Sequence, residues 1–67
     1  MKTFYTIATM YETLNININF ITEWSVNWEN QLSISLVGGV TYQIPRFEDE
    51  KGYDALVTAL KERTVDR

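Results

Sequence analysis

From Leu14 to Ile44 the apolar residues fall on even positions and the polar ones between them, a period of two that few folds accommodate. Leu14, Ile16, Ile18 and Phe20 alternate with Asn15, Asn17 and Asn19; Trp24, Val26 and Trp28 flank Ser25 and Asn27. Leu32, Ile34 and Leu36 then flank Ser33 and Ser35, and Val40, Tyr42 and Ile44 flank Thr41 and Gln43. Successive side chains of a strand point to opposite faces, so this pattern describes strands with one face in a core and one in water. Wound into a helix, the same apolar residues would scatter around the cylinder.

Parity then constrains the turns. Residues directly opposite in an antiparallel pair share a face, so even positions stay together only if paired numbers sum to an even value. A two-residue Gly38-Gly39 turn would set Leu36 against Thr41. A three-residue loop, Val37-Gly38-Gly39, instead pairs Leu36 with Val40, Ile34 with Tyr42 and Leu32 with Ile44. It also places Gly39 in the left-handed position that this loop class requires. The same arithmetic predicts a loop at Glu29-Asn30-Gln31 pairing Trp28 with Leu32. At Tyr11-Glu12-Thr13 it pairs Met10 with Leu14, Ala8 with Ile16 and Phe4 with Phe20, which leaves Tyr5, Ile7 and Tyr11 on the other face. The opposite register of this first strand would bury Tyr5 and Ile7.

After Ile44 the character changes. Pro45 has no amide hydrogen for a ladder and ends the strand. Glu48, Asp49 and Glu50 suit the positive end of a helix, and Tyr53, Leu56, Val57 and Leu60 follow with helical spacing. Lys61 and Arg63 suit its other end, while Gly52 weakens the first turns by about 1 kcal/mol relative to Ala. The expected architecture is α+β: a four-stranded antiparallel β-meander, with strands at about 3–10, 14–28, 32–37 and 40–44, then one C-terminal α-helix at about 49–63 packed on one face. All 67 residues are expected to form one small domain, 1–67.

The apolar even face is large. A helix of about 14 residues is about 21 Å long, whereas an unbroken strand from Leu14 to Trp28 would reach about 50 Å. Either the long strand bends near Ile21-Thr22-Glu23 or a second subunit covers the remainder, and a homodimer or higher oligomer is expected. Trp24 and Trp28 are assigned to the core.

The chemistry is sparse. The chain has no Cys and no His, which removes disulfides, the usual metal sites and the usual nucleophile–base pairs. No catalytic, cofactor or metal residue is assigned, and enzymatic activity is not expected. Glu48, Asp49, Glu50 and Asp54 read as a solvated helix start. A net charge of −3 disfavours nucleic acid as a main partner. Eleven of the fifteen charged residues lie from Arg46 onward, so the first two-thirds is a nearly uncharged β surface, poorly protected against pairing with other chains. Neither a signal peptide nor a membrane span is evident, and a cytoplasmic location is expected.

Asn is depleted in strands, so Asn15, Asn17 and Asn19 on one face call for a reason. With Tyr5, Ile7, Tyr11 and Ile21 they compose a Tyr/Asn surface of the kind that paratopes use. The function expected is a non-enzymatic protein-binding module, a small oligomeric adaptor or inhibitor of phage or mobile-element type, acting on an unidentified protein. The alternatives are a nucleic-acid-associated protein, stacking bases on strand aromatics or mimicking DNA with its acids, and a structural or assembly protein.

Overall fold

The computed structural model describes residues 3–64, so the outermost residues of the expected 1–67 domain lie outside those described. The order is β1 (Phe4–Ala8), β2 (Thr13–Asn17), a 3-10 turn (Ile18–Phe20), β3 (Ile21–Val26), β4 (Gln31–Leu36), β5 (Thr41–Pro45), a second 3-10 turn (Arg46–Glu48) and α1 (Glu50–Thr64). The class is α+β as expected. The single four-stranded meander is not: there are five strands in two antiparallel sheets, β1-β2 and β3-β4-β5. The expected 14–28 strand is two strands.

The break falls at Ile18–Phe20, just before the segment expected to bend, and the polar residues of the run explain it. The Asn17 side chain accepts from the Asn19 amide at 2.9 Å, the Ile18 amide donates to the Thr3 carbonyl, and the Ile21 amide closes on the Ile18 carbonyl. Asn competes with a ladder by bonding local backbone in this way. A β-bulge between Ile21 and Glu23 adds a second irregularity inside the expected bend. The excess of apolar face is thereby largely resolved within one chain, because the two halves of the run enter different sheets.

Registers agree with parity in one sheet and depart from it in the other. Leu32 pairs with Ile44 and Ile34 with Tyr42, and the Leu36 amide reaches the Val40 carbonyl at 2.7 Å around the three-residue glycine loop. Gly38 and Gly39 both take positive φ, 97° and 88°. Between β3 and β4 the expected Trp28–Leu32 pair is replaced by Val26–Leu32. Even phase is kept, but Trp28 moves out of the core into a turn, Asn27–Asn30. That turn is built by side chains rather than glycine. Asn27 Oδ1 accepts from the amides of Glu29 and Gln31, and Asn30 takes the left-handed conformation that Asn tolerates, at φ 61°.

In the first hairpin the preferred register is corrected. Tyr5 pairs with Ile16 and Ile7 with Leu14, an odd sum, so the odd face of β1 turns inward and Phe4, Ala8 and Met10 turn out. The hairpin closes on four residues, Thr9–Glu12, where Thr9 Oγ1 accepts from the Tyr11 and Glu12 amides. The core then comprises Ile7, Leu14, Ile16 and Ile18 from one side, Leu32, Ile34 and Ile44 from the other, and Tyr53, Leu56, Val57 and Leu60 from the helix.

Helix α1 starts at Glu50, so Gly52 does not delay it. Asp49 caps it, its Oδ1 accepting from the Gly52 amide at 3.0 Å. The absent side chain at position 52 has a packing reason: a Cβ there would lie 2.9 Å from the Thr6 carbonyl oxygen. No helix among the described residues is long and apolar enough to cross a membrane.

Candidate interaction surface

Three connections come together at one end: the Thr9–Glu12 turn, the Asn27–Asn30 turn and the Arg46–Asp49 segment. Hydrogen bonds tie them together. The Arg46 amide donates to the Asn30 carbonyl at 3.1 Å, the Met10 amide to Glu48 Oε1 at 3.3 Å and the Ala8 amide to Asp49 Oδ2 at 3.0 Å. The Arg46 guanidinium holds Asp54 through two bonds of 2.9 Å, with Glu50 at 3.8 Å. That fork raises the Arg46 pKa and lowers that of Asp54, so both stay charged. Asp49 also lies below the usual carboxylate range, because the amides of Ala8 and Gly52 bond its charged form.

This fastened end carries four large apolar side chains in water. Tyr11 and Trp28 are each 90% exposed, Phe47 74% and Met10 69%. Glu12, Glu29 and Glu48 belong to the same three connections and Glu50 opens the helix that follows, while Arg46 is already engaged by Asp54. The result is an apolar end with an acidic rim.

The residues expected to form one Tyr/Asn surface are dispersed. Ile7 is fully buried, and Tyr5 and Ile21 are half-buried against the core. Asn15 is exposed on the outer face of the first hairpin and takes a bond from Thr6 Oγ1 at 3.3 Å. Asn17 serves the 3-10 turn, and Asn19 accepts from Arg63 at 3.0 Å at the opposite end. Only Tyr11 lies at the apolar end. Met10, Trp28 and Phe47 had been missed as surface residues, Trp28 because parity assigned it to the core. The available signal was the setting of Trp28 and Phe47, each in a connection beside an acid or Asn, where no strand or helix face can bury it; Met10, between Thr9 and Tyr11, carries no such signal.

Along β3 and β4, Glu23, Trp24, Ser25, Ser33 and Ser35 line a shallow, open depression of about 110 Å³. It holds one ionisable group and assembles no acid–base or nucleophile pair. Among the described residues no cluster of acids is arranged to hold a metal ion. Compared with protein-family models, with curated proteins and with solved structures, the chain matches none.

Proposed function

We propose that this protein is a non-enzymatic protein-binding module, an adaptor or inhibitor whose contact surface is the end formed by Met10, Tyr11, Trp28 and Phe47. The observation that carries the reading is the exposure of four large apolar side chains on three connections that hydrogen bonds fasten to one another. Aromatic anchors on a pre-organised frame lose little entropy on docking, and Trp and Tyr dominate binding hot spots. The acidic rim selects a partner with apolar pockets inside a basic border. The same acids repel phosphate, which disfavours a nucleic acid on this surface.

Capture from host extract with wild-type protein, with the Trp28→Ala/Phe47→Ala variant and with a Thr6→Ala/Asn15→Ala variant tests the assignment. The expected result is a partner protein retained by wild type and Thr6→Ala/Asn15→Ala but lost by Trp28→Ala/Phe47→Ala, with all three melting alike. Loss through the Thr6/Asn15 variant alone would move the surface to the outer face of the first hairpin. A salt-sensitive electrophoretic shift with DNA or RNA, abolished by the Trp28/Phe47 variant, would overturn the protein-binding reading.

A further inference from the structure

The outer strands differ in how they are closed. On β1 the outward-facing backbone is covered by the start of α1, since the Ala8 amide donates to Asp49 and Gly52 abuts the Thr6 carbonyl. On β5 the outward positions are Thr41, Gln43 and Pro45, and proline offers no amide. On β2 they are Thr13, Asn15 and Asn17, a polar row. On β3 the bond from the Asn27 amide to the Gln31 carbonyl sets the phase, so Ser25 and Glu23 face β4. The peptide groups of Trp24 and Val26 therefore point outward, and no strand among the described residues pairs with them. Neither Pro nor Lys interrupts β3; its defences are the bulge and Glu23.

The side chains on this edge are the unfinished part of the core. On the even face of β4 and β5, Leu32, Ile34 and Ile44 are buried and Leu36 and Tyr42 half-buried, whereas β3 has no buried residue. Val26 is 37% exposed, Phe20 just before the strand 56%, and Trp24 is only half-buried. One more antiparallel strand would continue both the ladder and the apolar layer.

We propose that this strand is β3 of a second copy. Two identical antiparallel strands are self-complementary about a two-fold axis, so the interface closes as a dimer. With the axis between the two Ser25 residues, Trp24 lies opposite Val26 of the second copy and Glu23 opposite Asn27. Moving the axis to Glu23 would set like charges against each other, and moving it to Trp24 would leave Val26 facing Thr22. The Ser25 register thus pairs apolar with apolar on one face and polar with polar on the other. A six-stranded sheet results, β5-β4-β3-β3-β4-β5, with the two apolar ends pointing in opposite directions. Such a dimer is bivalent, but its formation does not depend on what those ends bind.

Sedimentation equilibrium from low micromolar to millimolar protein is the first test. The mass is expected to rise from 7.8 kDa towards twice that value, with amide exchange at Trp24 and Val26 slowing over the same range. Val26→Lys is expected to weaken the dimer at least tenfold while leaving the monomer's circular dichroism unchanged. Ser25→Cys, the only thiol in the chain, is expected to oxidise readily to a covalent dimer, because opposed residues at such a site approach within disulfide reach. Ser33→Cys, on the neighbouring strand of the same face, is not. A mass that stays at one chain at every concentration would overturn the proposal, as would equal cross-linking by the two cysteine variants. So would a dimer that survives Val26→Lys but is lost in Trp28→Ala/Phe47→Ala.

Discussion

The β1–β2 and β4–β5 hairpins are built from similar alternating stretches, yet their registers are set by different means. In β4–β5 both strands carry apolar residues on one face only, and two glycines make an odd loop inexpensive, so parity and turn chemistry agree. In β1 both faces are apolar, with Phe4 and Ala8 against Tyr5 and Ile7, so alternation alone cannot decide. There the decision falls to the Thr9 turn and to Asp49, which comes from the far end of the chain to take the Ala8 amide. A strand with one apolar face selects its own register; a strand with two has it selected by its neighbours.

The sharpest way to break this comparison is to truncate each face of β1. Ile7→Ala is expected to cost about 2–5 kcal/mol in urea unfolding, the range for a fully buried aliphatic residue. Phe4→Ala, on the outer face, is expected to cost under about 1 kcal/mol. The reverse order would put β1 in the even register.

The glycines provide the next contrast. Gly39→Ala forces a side chain into the left-handed region and is expected to cost about 1–2 kcal/mol. At Gly52 an alanine would normally gain about 1 kcal/mol of helix propensity. Here its Cβ would meet Asp49 Oδ2 at 2.8 Å and the Thr6 carbonyl at 2.9 Å. Overpacking of this kind typically costs about 1–3 kcal/mol. Gly52→Ala is therefore expected to destabilise and to speed amide exchange at Ala8, whereas Gly39→Ala leaves Ala8 unaffected. A stabilised Gly52→Ala protein would mean that α1 does not bear on β1.

Acid separates the two hairpins as well. Asp49 has a folded pKa below its unfolded value of about 3.9. Its contribution is therefore complete above that value and is lost as pH falls through the folded pKa. Melting temperature followed down through this window is expected to fall less steeply in Asp49→Asn, which retains a capping acceptor but has no charge to lose. Asp49→Ala, without the cap, is expected to melt several degrees lower at neutral pH. Identical acid limbs in wild type and Asp49→Asn would remove the carboxylate from the account of how β1 is held.

Much of the fold was legible wherever one signal sufficed. The glycine loop, the β4–β5 register, the helix and its apolar stripe follow from spacing within a few residues. What was not legible depended on Asn and Asp side chains acting on distant or local backbone. Asn17 turns a strand into a 3-10 turn, Asn27 and Asn30 build a glycine-free turn, and Asp49 joins the helix start to β1. The pattern of hydrophobicity assigns these residues merely to a wet face. The interaction surface was obscured for a related reason: Trp28 keeps the even phase but sits two residues beyond the end of its strand. Tyr11 was singled out, but with neighbours that face elsewhere.

The smallest effect tests the other half of the helix's role. Alongside the polar clasps to β1, α1 contributes Tyr53 to the core it shares with Leu32, Ile34 and Ile44. The Tyr53 hydroxyl is buried with no hydrogen-bond partner, and burial pushes its pKa above the ordinary phenol value. An unsatisfied buried hydroxyl opposes folding, while the ring beneath it supplies the packing. Tyr53→Phe is thus expected to leave stability unchanged or raise it by up to about 1 kcal/mol. The alkaline limb carries the sign of the pKa shift. A phenol whose folded pKa is raised supports the fold below its unfolded pKa of about 10, and that support is lost as pH rises through the folded value. Tyr53→Phe should therefore resist alkaline unfolding better than wild type, measured as melting temperature across that range. A clear loss of stability at neutral pH would mean that the hydroxyl is hydrogen-bonded in solution. The helix would then hold the second sheet, like the first, through a polar contact as well as an apolar one.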